Sequence, residues 1–333
     1  MKERIALWDN LRLVLILSVV VGHFTEQVIS SGAADAPFRS IFLFIYAFHM
    51  PLFLFVSGLF HKNAHIAQKA FAYVGIGMVY KIVIYVVRRL TAGEASFHLL
   101  WEDGIPWFMF VLAACVLLTW LLRSCDPRLV LVTAVAVACF AGYDDAIGDF
   151  LCLSRIVVFF PFYFAGTMVS RAKLEQLSRQ KGMKLLGAGG LLLWAIVCTA
   201  ALDKVYLLRP LLTGHNPFSA AGLPCACLFR LLCYALSACL GFAWIMLMPA
   251  RRTPLTVIGQ RTMQIYFWHR PVLYLLVNLG LAGHLTATPA GLAIWMALSV
   301  ITTAALAWKP LRYPTELFLR FRSQPVPHAP VEL

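Results

Sequence analysis

Apolar residues run through this chain in long blocks, and short polar breaks separate them. The blocks give candidate spans at 11–31, 39–60, 68–87, 106–122, 129–143, 155–170, 184–202, 228–248, 262–282 and 290–308. A helix needs about 20 residues, each rising about 1.5 Å, to cross a hydrocarbon layer of about 30 Å. Most blocks have that length; the fourth and fifth are shorter. The breaks carry turn and charge signals, as in Ser124-Cys-Asp-Pro127, Asp144-Asp145 and Arg251-Arg-Thr-Pro254. The pattern predicts an all-α, polytopic membrane bundle of about ten transmembrane helices. It also predicts one transmembrane unit over 1–310 and a short tail over 311–333, too short for a further soluble domain. No internal repeat or low-complexity tract is visible.

Charge orients this bundle. Of 28 Lys and Arg, 19 fall in alternate connecting segments that include both termini, seven fall in the other set, and Lys81 and Arg270 lie within spans. Basic residues accumulate on the cytoplasmic side, so both termini are expected there. Composition agrees: 61% of residues are hydrophobic, 13% are charged, and mean hydropathy is +0.79. The net charge of +13 does not gather into one patch, which argues against nucleic acid as a partner. Nine cysteines are scattered through apolar blocks without ligand spacing, so they read as small packing residues and no metal is expected. Lys2 and Arg4 precede an apolar run longer than a signal sequence, so the first span is expected to stay in the protein.

A few spans hold residues that lipid does not tolerate. The first carries Arg12 and His23. At about 100° per residue, eleven steps return to nearly the same face, and they separate the pair by about 16 Å. This places a cation at one surface and an imidazole near mid-depth, expected to face one cavity. Intramembrane ionisable groups are costly and by default mark function. Glu26 follows His23 by three residues, in position to orient its ring, while Asp9 precedes Arg12 by three and can pair with it. His49 stands before Pro51, which frees a backbone carbonyl and bends a helix. It lines a cavity or makes a structural hydrogen bond. Ser57-Gly58 marks a close-packing point for a neighbouring helix. Tyr266, His269 and Arg270 share one face of the ninth span beside Pro271; they line a cavity or form an interfacial belt. Trp107 follows a loop bearing Glu102 and Asp103 and stacks on a sugar or sits in the belt. Arg155 holds an anionic group or pairs with Asp149.

Several of these residues sit in motifs whose order resembles the acyltransferase-3 membrane acyltransferases, which modify bacterial cell-surface sugars. The motifs are Arg12-x10-His23, Phe48-His-Met-Pro-Leu-Phe-Leu-Phe-Val-Ser-Gly58, Pro106-Trp-Phe108, Ser154-Arg155 to Phe160-Pro-Phe-Tyr-Phe-Ala-Gly166, and Ile258-Gly-Gln-Arg-Thr-Met-Gln-Ile-Tyr-Phe-Trp-His269. The resemblance covers most of the chain. It implies a bacterial inner-membrane O-acyltransferase, with cytoplasmic acyl-CoA, most simply acetyl-CoA, as donor. The acceptor would be a hydroxyl of a surface glycan or of its lipid-linked precursor. It implies that His23 is catalytic, as general base or transient acyl carrier, assisted by Glu26. Arg12 would hold donor phosphates, which a guanidinium grips in two-pronged fashion. His49, Trp107, Arg155, Tyr266, His269 and Arg270 would line the acceptor path. One departure stands out: the Arg-x-x-Arg pattern that some members carry in the third helix is missing, and that helix offers Lys69, Lys81 and Arg88-Arg89. The rival class is a transporter or flippase, since buried His and Arg beside kinks also mark transport paths.

Overall fold

The computed structural model describes residues 5–32, 36–93, 95–102, 104–214, 218 and 225–321. Lys2, Arg4, Asp103 and the tail beyond 321 lie outside them. The described residues are helical, with one isolated bridge between Trp101 and Phe150. Every predicted apolar block falls on a helix or on two consecutive ones. In chain order they are α1 (Ala6–Ser30), α2 (Ala36–Tyr46), α3 (His49–Leu59), α4 (Ile66–Ala92), α5 (Trp107–Leu121), α6 (Pro127–Phe140), α7 (Leu153–Met168), α8 (Arg171–Leu177), α9 (Lys181–Ala200) and α10 (Leu202–Tyr206). Then follow α11 (Arg209–Thr213), α12 (Ala226–Leu247), α13 (Thr256–Gly259), α14 (Thr262–Asn278), α15 (Leu281–Thr286), α16 (Pro289–Leu306) and α17 (Thr315–Phe321).

Among the described residues, six spans are long and apolar enough to cross a membrane: α1, α2 with α3, α4, α9, α12 and α16. Helices α5, α6, α7 and α14, at 14 to 17 residues, are shorter. Helix α7 continues into α8 through an 85° bend. The ends follow local chemistry. Asp126 caps α6 by accepting from the amides of Arg128 and Leu129, with Pro127 in the first turn. Thr288 caps α16 through the amide of Gly291, again with a proline at the start.

The second span is broken where its sequence says it should be. Pro51 cannot donate to Ala47, four residues earlier, and the helix stops between α2 and α3. The freed Ala47 carbonyl accepts from Ser237 Oγ of α12 at 2.6 Å. Helix α3 then lies against α7, as the Ser57-Gly58 pair foretold. A Cβ on Gly58 would stand 1.8 Å from the Tyr163 carbonyl oxygen, and one on Gly166 would stand 2.1 Å from that of Phe55. The two backbones touch, and only glycine permits it.

The connecting segments sort into two groups by contact. At one end Trp8 donates to Glu175 at 2.6 Å, Asn10 donates to the Pro249 carbonyl at 2.8 Å, and Gln260 donates to Asp9 at 2.9 Å. At the other, Lys81 pairs with Glu102 at 3.0 Å, Ser154 donates to the Gly214 carbonyl at 2.7 Å, and Asn278 donates to Thr91 at 2.6 Å. The first group belongs to the Lys/Arg-rich set and the second to the Lys/Arg-poor set. The tail begins as structure: α17 packs on α4, with the Phe318 ring beside Gly75.

Candidate functional site

A cavity of about 320 Å³ lies between α1, α2, α3, α5, α7 and α14. Helix α1 presents His23 and Glu26 to it, from successive positions on one face. His23 Nδ1 stands 3.2 Å from Glu26 Oε2. A carboxylate only accepts, so Nδ1 carries the hydrogen and Nε2 is left as the basic nitrogen. Tyr46 of α2 lines the same cavity.

Two more histidines share this tautomer. His49 Nδ1 donates to the Ile45 carbonyl at 2.9 Å, across the α2–α3 break. His269 Nδ1 donates to the carbonyls of Tyr266 at 2.7 Å and Ile265 at 3.2 Å. His269 is fully buried, and its ring stacks on His23 with centroids 5.4 Å apart and planes 25° apart. Its Nε2 finds no hydrogen-bond partner among the described residues. His49 lines the cavity, while His269 supports it from behind His23. Of the residues expected to border the acceptor path, His269 is the one that does not line this cavity; it stacks on His23 instead.

Arg270 and Tyr266 line the cavity as their helical spacing suggests. The Tyr266 hydroxyl donates to the Ile105 carbonyl at 2.5 Å, so α14 holds the loop before α5 in place. Trp107 forms a wall, stacked on Phe159 at 5.4 Å. The Arg155 guanidinium lies 5.1 Å from the Trp107 ring, donates to the Glu102 carbonyl at 3.0 Å and stands 3.7 Å from Asp149. Of the two sequence readings of Arg155, pairing with Asp149 is the one present, although the side chain also borders the cavity.

Arg12 is placed differently from the expectation. It shares α1 with His23 but does not line the cavity, which reaches along α1 only as far as Ile16. Its guanidinium pairs with Asp9 at 3.2 Å and lies 4.8 Å from the centre of the Phe60 ring. Arg171 of α8 lies over the same ring at 5.3 Å. Asp9 is held in turn by Gln260, whose neighbour Gly259 sits so close to α1 that a Cβ would be 1.8 Å from the Asp9 carbonyl oxygen. Common helical phase puts Arg12 and His23 on one face, but the cavity that His23 lines stops at Ile16, about one turn short of Arg12.

The sequence does not mark Tyr46, the Lys81–Glu102 pair or Arg171. Tyr46 sits in an ordinary aromatic run, and nothing local marks it as part of a cavity wall. Lys81 is committed to Glu102 and the Trp101 carbonyl at the end opposite Arg12, so it does not replace an arginine beside the donor. Among the described residues no group of three His, Cys, Asp or Glu is arranged to hold a metal.

Comparison with known proteins adds a family to this geometry. The profile of the acyltransferase domain family matches residues 5–308. The chain is 25% identical over 237 residues to nodulation protein NolL of Sinorhizobium fredii (strain NBRC 101917 / NGR234), an alignment covering 64% of this chain and 62% of NolL. No solved structure matches.

Proposed function

The chain belongs to the acyltransferase domain family, and from that premise we propose that it is a multi-pass enzyme of the bacterial inner membrane. It transfers an acyl group, acetyl in the simplest case, from cytoplasmic acyl-CoA to a hydroxyl of a surface glycan or its lipid-linked precursor. The observation that carries this reading is the His23–Glu26 pair at the cavity wall, backed by His269. A base for acyl transfer needs a basic nitrogen facing the acceptor and a fixed proton on the other. Glu26 supplies the second condition and the cavity the first.

In this mechanism His23 Nε2 takes the proton of the acceptor hydroxyl as its oxygen attacks the thioester carbonyl. The imidazolium, paired with Glu26, then returns that proton to the departing sulfur, and coenzyme A leaves as the thiol. Glu26 orients the ring and offsets its transient charge. Arg12 and Arg171, both over Phe60 at the end rich in basic residues, suit the phosphates of the donor. His49, Trp107, Tyr266 and Arg270 border the space for the acceptor.

The test uses purified protein in detergent, where no gradient exists. Wild-type protein should bind acetyl-CoA saturably and hydrolyse it slowly in the absence of acceptor. Well-folded protein that ignores acyl-CoA and instead drives gradient-dependent uptake in liposomes would make it a transporter. An acyl group trapped on His23 after rapid quenching would replace the general-base step by a covalent one.

A further inference from the structure

A second cavity, of about 520 Å³, lies between the later part of α4, the loop 95–106 and α14. The reaction described above does not use it. Its charged lining is Lys81 and Arg88 from α4, Glu102 from the loop and Arg270 from α14, with His98 beside them. Lys81 and Glu102 pair at 3.0 Å and cancel. Two guanidiniums remain. They come from different helices and converge on one ring: Arg88 lies 5.6 Å from the Tyr274 centroid and Arg270 lies 4.9 Å from it. Among the described residues, neither forms an ion pair with a carboxylate. The Asn278–Thr91 hydrogen bond at 2.6 Å fastens α4 to α14 close by, so the spacing of the two cations is built into the bundle.

The rim of this cavity is apolar and outward-facing. Two aromatic rings of its lining face outward, Trp101 57% exposed and Phe97 39%. A basic hollow with an apolar rim on a membrane protein suits an amphiphile whose head is anionic and whose tail stays in lipid. Two guanidiniums from different helices in one hollow suit a diphosphate better than a single carboxylate or phosphodiester. This cavity also shares Gly104, Ile105 and Arg270 with the cavity of His23. A head held by Arg88 and Arg270 therefore sits next to the space where a hydroxyl is expected to meet the acyl group.

We propose that the cavity between α4, the loop 95–106 and α14 binds the diphosphate head of a lipid-linked acceptor, through Arg88 and Arg270. That the bound lipid is the acyl acceptor rests on the acyltransferase reading; the binding itself does not. A soluble diphosphate or a bulk membrane phospholipid could supply similar chemistry, so the test separates the three sources.

Farnesyl diphosphate serves as the short-chain probe in equilibrium binding to the purified, detergent-solubilised full chain. It should bind saturably, and inorganic pyrophosphate at least about tenfold more weakly. Phosphatidylglycerol in mixed micelles should not displace it at comparable concentration. Arg88→Gln should weaken farnesyl diphosphate binding at least about tenfold, as loss of a charge-assisted contact does. Arg89→Gln, the adjacent cation that does not line the cavity, should bind as wild type. Equal binding of pyrophosphate and farnesyl diphosphate would overturn the lipid assignment, and displacement by phosphatidylglycerol would make this a general lipid contact. Unchanged binding in Arg88→Gln, or none in well-folded wild type, would remove the site. Acetyl-CoA hydrolysis is measured on the same preparation. Hydrolysis without diphosphate binding defeats this inference and leaves the acyltransferase reading intact; binding without hydrolysis does the reverse.

Discussion

His23 has one nitrogen committed and one available, and the commitment is made by Glu26 only three residues away. Glu26→Gln keeps the shape but removes the charge that offsets an imidazolium. It should lower the rate of acyl transfer at least about tenfold with donor affinity little changed, because the loss falls on the transition state. Equal rates for the two proteins would show that Glu26 is not part of the chemistry. Arg12 calls for a different readout. Arg12→Lys keeps a charge but loses the planar fork, so the acetyl-CoA KM should rise about tenfold with kcat partly retained. Arg12→Ala should be worse on both counts, since Asp9 is buried and would lose its cation. An unchanged KM in both variants would place the donor elsewhere. At this scale much was legible, because ionisable residues in apolar spans announce themselves. Their surroundings were legible only within a turn or so: Asp9 and Glu26 could be named, whereas the place of Tyr46 in the cavity wall and the stacking of His269 on His23 depend on helix packing that no local pattern records.

The elements were the easiest part to read, since block length and breaks alone located the longer helices to within a few residues, while short helices such as α8, α10, α11, α13 and α17 lay in the connecting segments. Proline and glycine carried further detail. Pro51 marked the break between α2 and α3, and Gly58 marked the contact with α7. The residue that completes the break was invisible: Ser237 lies 190 positions from Ala47 in sequence. Removing its hydroxyl leaves a buried carbonyl without a partner, so Ser237→Ala should cost about 1–3 kcal/mol. A thermal-unfolding scan in detergent should show a clear drop in midpoint; no shift would mean that water replaces the hydroxyl. The sequence also overstated one element property. Shared helical phase suggested that Arg12 and His23 face one cavity, but phase does not say how far a cavity runs along a helix, and this one ends at Ile16.

For the whole molecule, charge distribution and contact pattern divide the connecting segments in the same way. Among the described residues six spans are long and apolar enough to cross a membrane; we propose that the four shorter helices cross too, which makes ten and, by the split of basic residues, puts both termini in the cytoplasm. A C-terminal alkaline phosphatase fusion should then be inactive in cells and a C-terminal fluorescent protein bright; the opposite result would invert the topology or make the count odd. The two cavities share the wall at Gly104, Ile105 and Arg270, which puts the basic hollow beside the cavity of His23. The proposed chemistry rests on His23. The most direct measurement is the acyl content of the surface glycan, by NMR, in cells lacking the native gene and carrying either wild type or His23→Ala at equal membrane abundance. A general base at this position contributes about 10²–10⁴-fold, so acylation should fall to background with His23→Ala while the protein still accumulates. Near wild-type acylation by His23→Ala would contradict the account.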